Sequence, residues 1–209
     1  MTPYEIISDI PRLSSVLPAK GIYLWEYFYF LQVKKPMYDR ASQLAETISN
    51  ISRGKKTLLL SDNSEIVGKV GEFVVREFCK QNIHVEWLSM AETVNEHGGD
   101  NCDLTILGLN VDVKTRQLHT DVTIAPTIEL RVPQTEFDRY QDIFILAGYC
   151  PTTMYGYVLG WCSWEELQDS PIRTDIRFPA HCVALTELHP MKYLQKYAER
   201  RLGQKNTMG

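Results

Sequence analysis

From position 103 onward the chain breaks into short runs whose apolar and polar residues alternate, and this change of period constrains the fold more than any other feature. LTILGL occupies 104–109 and NVDVKTR occupies 110–116, followed by a segment rich in Thr, Ile and Val at 122–132. A period of two marks strands with one buried face. The first two runs are separated only by the region of Gly108, the spacing of a tight hairpin. These segments are therefore expected as consecutive strands of one sheet. Two longer apolar runs, 142–149 and 155–162, flank the turn residues Pro151, Thr152 and Thr153 and read as two more strands.

Helical spacing surrounds these strands. Asp62 and Glu65 have the separation of a capping box, so a helix is expected to start near Asn63 and to end near Lys80, before a strand candidate at 84–88. Ile66, Val67, Val70, Phe73, Val74 and Phe78 form its apolar side, while Glu65, Lys69, Glu72 and Arg76 share another face. Pro133 is placed to open a short helix through 140. Ser163 and Glu166 form a second capping box that opens a helix through 168. A surface helix is expected over 189–202, with a basic end at Arg200 and Arg201. Residues 1–60 contain an aromatic stretch at 23–31 and a helical pattern at 38–51, and read as an N-terminal helical extension. No internal repeat or low-complexity segment is present.

Within the strand region the polar residues are not arbitrary. Asp112 and Lys114 alternate with Val111 and Val113, so both project from the face opposite the core. A hairpin brings Asp103, which opens the preceding strand, alongside them. Asp100 in GGDNCDL is a second candidate, but Asp103 directly precedes the apolar run. Converging carboxylates are what a hard divalent cation takes as ligands, and a neighbouring lysine supplies positive charge for phosphate oxygens. Plainer readings exist: Glu72 paired with Arg76 and Glu65 with Lys69 on a solvated helix, and Lys114 as a strand-edge lysine.

The order helix, D-x(8)-D-x-K, strand, helix, strand resembles the PD-(D/E)XK nuclease superfamily, which includes restriction endonucleases and archaeal Holliday-junction resolvases. Gly71-Glu72, Asp103-Leu104 and Asp112-Val113-Lys114 carry the resemblance, which spans about residues 62–168. Cys102 stands where the family name has proline, and the second acid is Asp. The resemblance implies an α/β fold, restriction-endonuclease-like, with a central mixed sheet flanked by helices. It implies a core at 61–170 between the N-terminal extension, 1–60, and a C-terminal extension, 171–209. It further implies Mg²⁺ or Mn²⁺ bound by Asp103 and Asp112, with Glu72 completing the metal site and Lys114 orienting water or stabilising the transition state.

Composition narrows the function without deciding it. The formal net charge of −4 gives no general attraction for nucleic acid, so local basic residues must do the binding. Arg53, Lys55, Lys56, Arg116 and Gln117 are the candidates for phosphate contacts. None of the five cysteines sits in a C-x-x-C pair, which points to a reducing, cytoplasmic setting and argues against a disulfide framework. His97, His119 and His181 lack zinc spacing. Trp161 and Trp164 read as packing residues. The first residues do not have the pattern of a signal peptide, and no apolar run reaches membrane-spanning length. The expectation is a divalent-metal-dependent DNA endonuclease, with homo-oligomers allowed and no membrane partner. Two rivals stand beside it: a non-cutting nucleic-acid-binding or assembly protein that keeps the nuclease fold, and a protein-interaction module using the aromatic stretch at 23–30.

Overall fold

A computed structural model describes residues 6–17, 23–24, 28–53, 62–83, 88–90, 102–119, 123–125, 127–137 and 139–207. The chain is a mixed α/β structure built on a six-stranded sheet. Its strands lie in the order β2 (Tyr29–Gln32), β9 (Tyr155–Ser163), β8 (Ile143–Cys150), β5 (Leu109–Gln117), β4 (Leu104–Ile106) and β3 (Leu88–Met90). Neighbours are antiparallel except β5 and β8, which run parallel. Helices that accompany the sheet among the described residues include α1 (Lys35–Arg53), α2 (Asp62–Asn82), α3 (Trp164–Gln168) and α4 (Leu194–Thr207).

The expected hairpin is present. Strands β4 and β5 pair with Leu104 opposite Val111 and Ile106 opposite Leu109. Two residues connect them, Leu107 at φ 52° and Gly108 at φ 76°. Positive φ at both central positions is the turn whose twist matches that of the flanking strands. The pairing fixes which side chains share a face: Leu109, Val111 and Val113 are buried, whereas Asn110, Asp112, Lys114 and Arg116 are exposed or partly so.

Helix α2 covers the buried face. Val67, Val70, Phe73, Val74 and Phe78 join Val111, Val113, Ile143, Ile145 and Val158 in one cluster. Burying each such side chain stabilises the fold by about 1.5–3 kcal/mol. The opposite face of the sheet is also buried, with Phe144, Leu146 and Leu159 packed among Leu130, Val132, Val183 and Leu185. That second layer is a small sheet of β10 (Ile172–Arg173), β11 (Ala180–Ala184) and β7 (Glu129–Pro133).

The expectation that 122–132 continues the main sheet is therefore corrected. β6 (Thr123–Ile124) pairs with β1 (Tyr23–Leu24), and β7 pairs with β11. The reason is topological: β5 and β8 are parallel neighbours, so the chain between them has to cross back outside the sheet. The N-terminal extension is likewise not wholly helical. Its aromatic stretch contributes β1 and β2, and β2 is one of the two edge strands of the six. Pro133 precedes only a 3₁₀ turn, Gln134–Glu136, and the C-terminal helix begins later than expected, at Leu194 after Pro190. The strand expected at 84–88 is found at Leu88–Met90, and residues 84–87 lie outside the described residues.

Both capping-box sites begin helices, and the geometry of the second is complete. Ser163 Oγ accepts from the Glu166 backbone N–H while Glu166 Oε2 accepts from the Ser163 N–H at 3.0 Å. The other Glu166 oxygen meets His189 Nε2 at 2.9 Å and the Arg12 guanidinium, tying the N-terminal segment to this end of the sheet. No described helix is long and apolar enough to cross a membrane.

Helix α2 and strand β5 are in close contact at Gly71. A Cβ there would lie 1.9 Å from Thr115 Oγ1 and 2.8 Å from Thr115 Cβ, whereas a Cβ at Gly68 would meet nothing within 4 Å. Gly71→Ala should destabilise the fold by about 1–3 kcal/mol through overpacking. Gly68→Ala should stabilise it by about 0.5–1 kcal/mol through helix propensity. Urea denaturation of the two variants measures both, and equal effects would refute this seating of the helix.

Candidate active site

Continuing the β4–β5 register by one residue sets Asp103 opposite Asp112. The ladder ends here, and Asp103 extends it with its side chain. Its backbone N–H donates to the Val111 carbonyl at 3.1 Å, and its Oδ2 accepts from the Val113 N–H at 2.7 Å. The carboxylate thus takes the place of the next main-chain acceptor. This capping bond anchors Asp103 at the strand edge, opposite Asp112.

Lys114 lies on the same face, two residues beyond Asp112. Its ammonium is 2.8 Å from Asp112 Oδ2 and 2.6 Å from Glu136 Oε2. Glu136 arrives on the 3₁₀ turn that follows β7, so the second layer contributes to the cluster as well. From the helix side comes Glu72, which is buried although charged. Lys69, one turn earlier on α2, places its ammonium 2.9 Å from each Glu72 oxygen. Asp112 and Lys114 thus meet directly and Asp103 stands opposite Asp112, whereas Glu72, on the helix that covers the other face of β5, reaches the group through its charge at Asp103.

The electrostatics follow from this crowding. Burial, followed by the negative charge of Glu72, pushes the Asp103 carboxyl up to about 6 from the ordinary 3.8. Burial also raises Asp112, to about 7, where the repulsion of Asp103 adds to the effect and Lys114 opposes it. Burial alone would lower Lys114, but the charges of Asp112 and Glu136 outweigh it and hold the ammonium above its ordinary value. The two aspartates thus hold their protons to a higher pH than ordinary carboxyl groups do.

The donor chemistry fits a hard divalent cation. Asp103 and Asp112 stand opposite one another at the end of the hairpin, and a cation held by both would relieve their mutual repulsion. Orientation fits less well, because the Glu72 carboxylate faces Lys69. Among the described residues, no three His, Cys, Asp or Glu side chains stand ready to hold a metal ion.

The remaining candidates are dispersed. Arg116 follows Lys114 on the same strand face and donates to the Glu129 carbonyl at 3.1 Å, close to Arg131. Gln117 is exposed at the end of β5. Arg53 ends helix α1, while Lys55, Lys56, Asp100 and His97 lie outside the described residues. His119 is exposed, and His181 is buried in a stack on Phe137 with ring centroids 4.0 Å apart. Trp161 and Trp164 are buried, as packing residues should be.

Two members of the cluster were not legible as such. Lys69 was visible on the Glu72 face of the helix, but the spacing equally suited a pair with Glu65. Glu136 had no local signal, since only the fold of the segment between β5 and β8 carries it to Lys114.

Comparison of the chain with protein-family models and with curated proteins finds no match. Both aspartates bind protons more tightly in the folded protein than in the unfolded chain. Their contribution to stability is full below about 3.8 and is lost as pH rises through about 6 to 7. In EDTA the melting temperature should therefore fall between about pH 4 and about pH 7. Asp112→Asn should flatten this decline, each kcal/mol recovered raising the midpoint by about 2–4 °C. Thermal melts across that range check it, and parallel wild-type and variant curves would contradict it.

Proposed function

We propose that this chain is a divalent-cation-dependent DNA endonuclease of the PD-(D/E)XK type, with a restriction-endonuclease-like core. One observation carries the reading: the two acids of D-x(8)-D-x-K meet across a hairpin, with the lysine ammonium 2.8 Å from the second. Chance occurrences of that spacing have no reason to place all three side chains together at a strand edge beside a buried glutamate. The mixed sheet, with α2 on one face and the parallel β5–β8 pair at its centre, is compatible with the fold that the resemblance implies.

In this reading Asp103 and Asp112 hold Mg²⁺ or Mn²⁺, and Glu72 supplies a further oxygen. The cation when bound supplies Lewis acidity and lowers the proton affinity of water. The protein's own part is positional. Val113 N–H fixes the Asp103 carboxylate, the β5 backbone aims Asp112 and Lys114 in one direction, and Lys114 brings positive charge to the phosphoryl oxygens as negative charge develops there. Water oxygen forms the new P–O bond, the ester P–O bond breaks, and the leaving oxygen takes up a proton. Arg116, further along the same face, contacts the phosphate backbone, with Gln117, Arg53, Lys55 and Lys56 as the other proposed contacts.

A second reading draws on the same geometry. Lys69 and Lys114 already neutralise carboxylates of the cluster without a cation, as in a protein that keeps the nuclease fold to bind nucleic acid without cutting.

Cleavage separates the two. Purified protein incubated with plasmid, branched and single-stranded DNA should cut at least one of them in Mg²⁺ or Mn²⁺ and none in EDTA. Asp112→Asn and Lys114→Ala should fold and lose that activity by a factor on the order of 10² or more. Cleavage unchanged in both variants would exclude this site, and binding without cleavage by the wild type would favour the second reading.

A further inference from the structure

Among the described residues, the cation site just proposed lacks a third oxygen in position, and Glu72, which could provide one, faces an ammonium. Lys69 Nζ lies 2.9 Å from both Glu72 oxygens, and the two side chains are only 13% and 9% exposed. A lysine–glutamate pair on a helix surface would be solvated and of little consequence. This pair has been taken out of water, where each charge is costly unless the other stays close.

The pair also has a neighbour. Asp103 feels both of its charges, with Glu72 disfavouring the ionised carboxyl and Lys69 favouring it. The Lys69 ammonium therefore sits at the edge of the carboxyl cluster as a monovalent counter-ion. A lysine suits that role better than an arginine. Its compact charge on a flexible stem can leave for solvent without breaking a planar, forked set of hydrogen bonds.

We infer that Lys69 is a positioning residue that holds the Glu72 carboxylate away from Asp103 and Asp112, and so sets the divalent-cation concentration at which the site is completed. The inference rests on the metal-site reading above. Cation and ammonium compete for Glu72: when the divalent ion binds, the carboxylate turns to it and the lysine withdraws. Removing the ammonium frees Glu72 in advance and removes a like charge from the ion's surroundings.

Mn²⁺ binding to the full chain, measured by isothermal titration calorimetry, tests this without relying on cleavage. Four proteins are compared: wild type, Lys69→Met, Lys69→Met with Glu72→Gln, and Asp112→Asn. Lys69→Met should tighten Mn²⁺ binding by about ten-fold or more, and adding Glu72→Gln should return it to near the wild-type value. Thermal melts in EDTA verify folding, with Lys69→Gln as the substitute should Lys69→Met not fold. Unchanged or weaker binding by Lys69→Met, alongside lost binding by Asp112→Asn, would overturn the role of Lys69 and leave the metal site standing. A gain that survives Glu72→Gln would reduce the effect to net charge and overturn it equally. Absence of Mn²⁺ binding in all four proteins would overturn the metal site and this inference together.

Discussion

Thr115 fills the space that a side chain at position 71 would need, so helix α2 lies directly on strand β5 at that point. The cluster of charges depends on this close seating. Glu72, the next residue along the helix, is carried down to the level of the hairpin, where its charge reaches Asp103. Were the helix lifted by the thickness of a methyl group, Glu72 would move towards solvent, and the acids would separate into a helix-surface glutamate and a strand-end pair. The apolar partners on either side of the contact, Val67, Val70 and Val74 against Val111 and Val113, keep the helix from sliding.

The same seating creates an electrostatic problem for the protein. Several carboxyl groups withdrawn from water repel one another, and the fold offsets this locally in three ways. A main-chain N–H from Val113 supports Asp103, Lys114 stands between Asp112 and Glu136, and Lys69 faces Glu72. Each arrangement draws on a different element, respectively the unpaired end of a ladder, the far face of β5 and the preceding turn of α2. The positive charges are thus distributed around the acids, and none of them needs a long-range field from a chain whose net charge is negative.

Legibility followed the range of the interactions. The β4–β5 hairpin could be read from the sequence because alternation and a two-residue turn are local, and the meeting of Asp103 with Asp112 follows directly from the register. The apolar stripe of α2 and the S-W-E-E capping box were readable for the same reason. What escaped depends on contacts between distant segments. The run at 122–132 has the composition of a strand but not its address, and only the parallel pairing of β5 with β8 sends it to a second layer. The aromatic stretch near the N-terminus has no strand signal of its own, and only the distant partner β9 makes Tyr29–Gln32 a strand. Lys69 had two glutamates within helical reach, and periodicity alone does not choose between them.

The pairing of β2 with β9 bears on how the chain reaches its final form. Loops between distant partners must close before their contacts repay the entropy lost, and such contacts form late. The hairpin that aligns Asp103 with Asp112 is local and can form soon after its residues are made. Tyr29–Gln32, by contrast, is synthesised long before Tyr155–Ser163, the strand it hydrogen-bonds. During translation it is an unpaired β-segment rich in aromatic and apolar side chains, the kind of edge that invites wrong partners. This edge strand is thus made long before the partner that protects it, so assembly of the nascent chain is most exposed to error at the edge farther from the acidic cluster.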